Sequence, residues 1–112
     1  MLIKPCFFLK VKKLYKKLNP TATKIPDGDA AMTTIFSPNN PMLKVFDIST
    51  DTGMNEQKGL MLMLQGAMAA LRNPKAHSNI TISKDDAMRR IMYASMLMYR
   101  IDDAVKYSSV KE

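Results

Sequence analysis

The chain has 112 residues, 46% of them hydrophobic, which suffices for one modest core but not for two. It has one cysteine and one histidine, which excludes an internal disulfide and the four nitrogen or sulfur ligands that structural zinc usually takes. The net charge of +7 comes from the first 25 residues, which hold seven lysines and no acid. We predict one cytoplasmic domain without metal, cofactor, signal peptide or membrane span, because no apolar run reaches the roughly 20 residues of a span.

The first predicted element is a basic amphipathic helix, which occupies residues 1–26 together with a linker. Its apolar residues recur at helical spacing, and the lysines between them face away. The apolar positions are Phe7, Val11, Leu14, Tyr15 and Leu18, and the lysines are Lys10, Lys12, Lys13, Lys16 and Lys17. The candidates for contacts with RNA phosphates are Lys12, Lys13, Lys16 and Lys17. Lysines give sequence-independent affinity for a nucleic-acid backbone; the alternative is that they form only a solvated outer face.

The main domain is predicted over residues 27–112 and begins with a short helix. Asp27 lies in a turn and is the predicted N-cap of this helix. The apolar positions of the helix are Ala30, Ala31, Met32, Ile35 and Phe36. The sequence SPNNP at residues 37–41 ends it. Residues 42–48 fit either an extended strap or one small strand, and residues 49–53 form another turn.

A long helix is predicted from about Met54. Its segment 59–71 contains one strongly polar side chain, Gln65, which predicts that the segment is buried among other helices. The apolar stripe consists of Leu60, Met63, Leu64, Ala67, Met68 and Leu71. Glycine costs about 1 kcal/mol against alanine inside a helix, so Gly59 and Gly66 predict that a neighbouring helix approaches closely.

The side chains best suited to catalysis follow the end of this helix. The ring of Pro74 clashes with the preceding turn, so the helix is predicted to end at about Asn73. Arg72 then lies in the last turn, where a cation suits the negative end of the helix dipole. His77, the only histidine, lies about one turn further and could fold back beside Arg72. On spacing alone, the alternative is that Arg72 only caps the helix and His77 is a surface residue.

The last predicted helix begins after Ser83, an N-cap that is followed by acids in the first turn. The predicted inward positions are Ala87, Ile91, Ala94, Ser95, Met98, Ile101 and Val105. Two ion pairs are predicted at i,i+4 spacing, Asp85 with Arg89 and Asp86 with Arg90. Such pairs stabilise a helix by a few tenths of a kcal/mol each.

Several short motifs, in chain order, carry a resemblance to a known family. They are Phe36-Ser37-Pro38, Asn40-Pro41, Asn55-Glu56-Gln57, Gly59, Gly66-Ala67 and Arg72-Asn73-Pro74-Lys75-Ala76-His77. From Asp27 to about Val105 the chain resembles the bacterial Ymh-type family of hypothetical proteins, whose helical domain is placed in the HEPN superfamily. The resemblance implies an all-α fold, namely a HEPN-like helical bundle with two long antiparallel core helices and shorter flanking helices.

The same resemblance implies an activity. Many HEPN domains are metal-independent endoribonucleases with an R-x4-6-H motif and a polar residue after the arginine, and Arg72, Asn73 and His77 match that motif. It implies cleavage of RNA through attack of the 2′-hydroxyl in defence or stress response, with an antitoxin or defence-system partner. The products would be a 2′,3′-cyclic phosphate and a 5′-hydroxyl. Many HEPN toxins carry a tyrosine two residues after the histidine, where this chain has Asn79.

The chemistry of these side chains fits that reaction. Imidazole titrates near neutral pH, so His77 is the predicted acid–base catalyst. The guanidinium of Arg72 matches two phosphate oxygens, Asn73 is predicted to orient the imidazole or the substrate, and Lys75 is a further candidate for RNA binding. Since one chain has one imidazole, we expect a homodimer whose groove at the two-fold interface supplies both acid and base. The alternative is a non-catalytic HEPN-like module that binds RNA or protein, and the third hypothesis is an interaction-only bundle in which Pro74 shapes a turn.

Overall fold

The computed structural model describes residues 3–26, 28–70 and 83–108. Within these ranges the chain forms four α-helices and no strand. They are α1 (Ile3–Leu18), α2 (Gly28–Phe36), α3 (Asp51–Ala70) and α4 (Lys84–Tyr107). The prediction of an all-α fold is therefore confirmed for this part of the chain.

One hydrophobic core joins the four helices. Helix α2 packs most extensively against α3, and α1 contacts both α2 and α4. The completely buried side chains include Val11 from α1, Phe36 from α2, Leu64 from α3 and Ile101 from α4. Because Val11 and Leu14 belong to this core, α1 packs as part of the same body as the later helices.

Helix α1 has the predicted amphipathic pattern. The apolar positions that lie in or against the core are Val11, Leu14, Tyr15 and Leu18. The side chain of Phe7 lies outside the described side chains. The prediction that Lys10 faces away is wrong, because its Nζ lies 2.6 Å from Oδ1 of Asp102 and its side chain is only 23% exposed. Lys10 therefore joins α1 to α4.

The strap, defined as residues 37–50, connects α2 to α3 and is held by one buried side chain. Nε2 of Gln57 donates to the carbonyls of Phe36 at 3.0 Å and Leu43 at 2.9 Å, and Oε1 accepts from the backbone N–H of Val45 at 3.0 Å. Gln57 is completely buried in α3. Of the two predictions for this segment, the small strand is wrong, because these backbone groups bond to a side chain instead of a second strand. The segment connects the two helices as a strap with several bends.

The strap ends in a turn that starts α3 at Asp51, slightly earlier than predicted. Oγ1 of Thr50 accepts from the N–H of Gly53 at 2.9 Å and donates to the carbonyl of Asp47 at 2.9 Å. A Cβ on Gly53 would overlap the Asp47 carbonyl, so this close approach requires glycine. Both the N–H and the hydroxyl of Ser49 donate to Oδ1 of Asp47, which lowers the pKa of that carboxyl.

Helix α3 buries the predicted stripe but is not buried all round. The stripe residues in or against the core are Leu60, Met63, Leu64, Ala67 and Met68, and Leu71 lies outside the described residues. The prediction that segment 59–71 is buried is wrong for its outer face, since Leu62 is 51% exposed. The predicted close approach at Gly59 and Gly66 is also wrong, because a Cβ on either would meet no described atom within 4 Å. The α2 and α4 helices pack on other sides of α3.

Helix α4 starts as predicted, and the face that it turns to the core only partly matches the predicted one, with Met98 packed against the core as predicted. Oγ of Ser83 accepts from the N–H of Asp86 at 3.0 Å, which confirms the N-cap. The predicted inward positions that are buried are Ala94, Ile101 and Val105, and the unpredicted ones are Leu97 and Ala104. Ile91, which is 41% exposed, and Ser95 were predicted inward and are exposed. Apolar residues occur on two faces of α4, and the contacts with α1 and α3 decide which face is inside.

Candidate functional site

The candidate catalytic residues lie outside the described residues. Arg72, Asn73 and His77, with Lys75 between them, belong to segment 71–82. The predicted helix end and the proline corner fall in the same segment. The structure describes the carboxyl end of α3, which leads into the segment, and the N-cap of α4, which follows it.

The two helices that flank this segment are the longest of the four and run antiparallel. Three contacts across them pair early residues of one helix with late residues of the other. They are Glu56 with Arg100 at 3.3 Å, the carbonyl of Met63 with the hydroxyl of Tyr93 at 3.3 Å, and the carbonyl of Ala70 with Nη1 of Arg90 at 3.2 Å. The predicted pair of long antiparallel helices is therefore present.

Arg90 lies where α3 leads into the candidate site. Its Nη1 donates to Ala70, the last residue of α3, and its Nε lies 2.9 Å from Oδ2 of Asp86. The Asp86–Arg90 pair was predicted, whereas an Asp85–Arg89 pair is not among the ion pairs of the described residues. The contact with Ala70 places a guanidinium at the carboxyl end of a helix, where the dipole favours a cation. Sequence spacing could not show this contact, because its partners are far apart in the chain.

Glu56 and Arg100 form the centre of a small surface charge cluster. Arg100 contacts Oε2 of Glu56 and Oδ2 of Asp103, each at 3.3 Å, and both acids are about half exposed. Exposed pairs of this kind contribute roughly 0 to 1 kcal/mol each. Asn55 and Glu56 also line a shallow groove of about 320 Å³ beside Gly59 and Met63. The groove is polar at one end and has no deep enclosed wall, so we assign it no chemistry.

The lysine face of α1 is the second part of the predicted site. Lys13, Lys16 and Lys17 are exposed, and Lys12 is half-buried. Nζ of Lys16 donates to the carbonyl of Ala22 at 2.6 Å, which turns this side chain toward the linker. With Lys10 bound to α4, the basic surface of α1 is narrower than the sequence predicted.

Two features are absent from the described part of the chain. None of its helices is long and apolar enough to cross a membrane. Its side chains also contain no group of three or more histidine, cysteine or acidic residues that could hold a metal ion.

The described helices form a small all-helical domain with one hydrophobic core. The family model described as "Protein of unknown function (Hypoth_ymh)" matches residues 9–101, and the chain therefore belongs to this family. The match begins inside α1, whereas the resemblance carried by the short motifs begins at Asp27. Part of the lysine-rich helix therefore falls within the family region. No match was found among curated proteins or among solved structures.

Proposed function

We propose that this chain is a metal-independent endoribonuclease of the HEPN type that works as a homodimer in defence or stress response. The observation that carries the proposal is the sequence Arg72-Asn73-Pro74-Lys75-Ala76-His77, which begins two residues after the end of α3 in a chain of the Ymh family. The all-helical fold with two long antiparallel helices is compatible with a HEPN bundle. The family membership and the motif together support the proposal.

The proposed reaction uses the 2′-hydroxyl of RNA as nucleophile. The imidazole of His77 in one copy takes the proton of that hydroxyl as its oxygen attacks the adjacent phosphorus. The guanidinium of Arg72 binds the phosphate oxygens, on which negative charge grows, and Asn73 orients the imidazole or the substrate. The imidazole of the second copy gives a proton to the leaving 5′-oxygen. The products are a 2′,3′-cyclic phosphate and a 5′-hydroxyl, so the bonds and protons balance without another reactant.

The described residues support two accessory roles. Arg90 binds the carboxyl end of α3 and so fixes the backbone from which the candidate site begins. The exposed lysines Lys13, Lys16 and Lys17, with the half-buried Lys12, give the phosphate backbone of RNA an electrostatic contact surface. Lys75 is the proposed RNA-binding residue inside the motif.

The test is cleavage of total RNA by the purified chain in EDTA. We expect cleavage to persist in EDTA and to fall by a factor of about 10² to 10⁴ in His77→Ala, the usual contribution of a general acid–base catalyst. Arg72→Lys should also lose activity, since an ammonium lacks the planar fork of a guanidinium. A kinase that labels only 5′-hydroxyl ends should label the products directly. Full activity in His77→Ala would refute the proposed mechanism.

The second candidate function is a binding module that holds RNA without cutting it. The lysine face of α1 favours this candidate, because it does not depend on the residues of the motif. RNA binding without cleavage would support it. For each lysine that contacts phosphate, the slope of log K against log salt should fall by about 0.7 when that lysine is replaced by glutamine. Lys58→Gln, on the exposed surface of α3, is the matched control and should leave the slope unchanged.

A further inference from the structure

Helix α4 carries exposed sulfur atoms on the side that points away from the core. Met88, Met92 and Met96, which we call the methionine stripe, are 52%, 65% and 41% exposed. Residues four apart in a helix are neighbours on its surface, so the three thioethers follow one another at intervals of about one turn. The buried residues of the same helix contain no sulfur; they are Ala94, Leu97, Ile101, Ala104 and Val105. The exposed side of α4 is therefore rich in thioethers, whereas its fully buried positions are hydrocarbon.

Other methionines of the described chain are protected by the core. Met32 of α2 is completely buried, and Met68 of α3 is buried in the same core cluster. Met98, on α4 itself, is partly buried and packs against the core. A small oxidant in solution contacts the methionine stripe directly, but it reaches Met32 only when the structure opens. Burial thus separates the methionines of one chain into an exposed group and a protected group.

We propose that the methionine stripe is a site of reversible oxidation by peroxide. Oxidation adds one oxygen to each exposed thioether and makes the outer side of α4 polar, while the core and the fold remain intact. Met92, which is the most exposed of the three, reacts first. The inference uses neither Arg72 nor His77 and is independent of the proposed RNA cleavage.

The chemistry is a two-electron transfer with hydrogen peroxide as the oxidant. A lone pair of the thioether sulfur attacks one peroxide oxygen, the O–O bond breaks, and the other oxygen leaves as hydroxide. The hydroxide takes the proton of the transferred oxygen, so the products are a sulfoxide and one water. Methionine sulfoxide reductases reverse the step. In the reverse step a dithiol supplies two electrons and two protons, the oxygen leaves as water, and the dithiol becomes a disulfide.

The position of the stripe explains why the fold should tolerate its oxidation. A sulfoxide in the core would be a buried polar group without a partner, which is costly. On the exposed side of α4 the added oxygens accept hydrogen bonds from water. The start of the helix is held by the Ser83 cap and by the contact of Arg90 with Ala70, and these groups do not react with peroxide. Oxidation should therefore change the surface of α4 and leave its packing unchanged.

The experiment is graded oxidation of the dilute full chain by hydrogen peroxide, followed by mass spectrometry of its tryptic peptides. Trypsin places Met88 in the peptide 85–89, and it places Met92, Met96 and Met98 in the peptide 91–100. Fragment ions of the second peptide separate its three methionines. The oxidation rate of each position on α4 is therefore measured individually.

We expect the methionine stripe to react at least about tenfold faster than Met32 and Met68, because these two react only when the structure opens. Met98 is the matched control on the same helix and should react more slowly than Met92. When the stripe is oxidised and Met32 is not, the melting temperature should change by less than about 5 °C. Sulfoxide reductases should then restore the thioethers.

A triple variant tests the change in surface polarity. Met88→Leu, Met92→Leu, Met96→Leu keeps an apolar surface of similar volume and a good helix former at each position, but it removes the exposed sulfur. Peroxide should shorten the retention of the parent chain on a hydrophobic-interaction column, because its surface becomes polar. The retention of the triple variant should change much less under the same treatment.

Three results would overturn the proposal. They are equal oxidation rates at the stripe and at Met32, unfolding of the chain when only the stripe carries oxygen, and an equal loss of retention in the parent and the triple variant. Sulfoxides in the stripe that the reductases do not remove would also overturn it, since the site would then not be reversible. RNA cleavage is not a readout here, so failure of the proposed nuclease leaves this test unaffected.

Discussion

Helix α3 has neighbours on two sides, and the contacts on the two sides differ in kind. On the side of α2 and the strap, Gln57 is completely buried and bonds three backbone groups, and Gly53 lies against a backbone carbonyl. On the side of α4, the polar contacts are the exposed hydroxyl and guanidinium groups of Tyr93, Arg90 and Arg100. The first side fixes the backbone, whereas the second side leaves α3 and α4 with apolar surface still exposed.

The difference predicts how strongly single changes on the two sides should affect stability. Buried hydrogen bonds are costly to remove, because the groups that remain are left without partners or water. Exposed polar contacts exchange with water at little cost. Changes to the polar contacts on the α2 and strap side should therefore lower the free energy of unfolding more than changes to the polar contacts on the α4 side.

The largest effect is expected for Gln57→Leu. The change leaves the carbonyls of Phe36 and Leu43 and the N–H of Val45 without their partner in the core, which should lower the free energy of unfolding by about 3 to 5 kcal/mol. Urea unfolding followed by circular dichroism measures it. Gln65→Leu, in the same helix, is the matched control. Gln65 bonds only the exposed hydroxyl of Thr33, so its loss should change stability by no more than about 0.5 kcal/mol. Equal effects in the two variants would contradict the assignment of Gln57.

The next effect concerns the glycines of α3. Gly53→Ala should lower the free energy of unfolding by about 2 to 3 kcal/mol, because the new methyl group overlaps the Asp47 carbonyl and the backbone must shift. Gly66→Ala meets no described atom and should raise it by up to about 1 kcal/mol. Both are read from thermal unfolding at concentrations at which the chain is monomeric. If the two variants shifted stability in the same direction, the comparison between the two sides of α3 would fail.

A smaller effect is expected at the start of α4. Ser83→Ala removes the acceptor for the N–H of Asp86 and should cost about 1 kcal/mol. Ser83→Asp keeps a capping oxygen and should restore most of the stability. Thermal unfolding of the three proteins provides the measurement. No loss in the alanine variant would show that the cap contributes little to α4.

The smallest effect is expected from the pH dependence of Asp47. Hydrogen bonds from Ser49 lower the pKa of this carboxyl in the folded chain. Because the pKa is lower in the folded chain, the ionised carboxyl stabilises the fold at pH values above the ordinary pKa of aspartate. This contribution is lost as the pH falls through the pKa of the carboxyl in the folded chain. Ser49→Ala should therefore be slightly less stable than the parent chain at neutral pH. The difference should shrink in acid, and unfolding measured across the acid range tests its sign.

Much of the local structure could be predicted from the sequence. The amphipathic pattern of α1 indicated Val11 and Leu14 as core residues, and Ser83 was correctly identified as a cap. These features depend on residues that are neighbours on one helix. The buried role of Gln57 and the contact of Arg90 with Ala70 could not be predicted, because their partners lie far away in the chain. The candidate catalytic residues Arg72, Asn73 and His77 were identified only from a motif, and their roles stay predictions.

The sequence by itself determined the helical periodicity, the excess of lysine in the first 25 residues and the motif that supports the proposed nuclease, since each is a property of the local order of residues. Only the tertiary structure decided which side of a two-sided helix is buried. Helix α4 has apolar residues on both faces, and periodicity cannot choose between them because burial depends on what packs against each face. The packing of α1 and α3 against α4 made that choice, so Leu97 and Ile101 are buried while Met88, Met92 and Met96 are exposed.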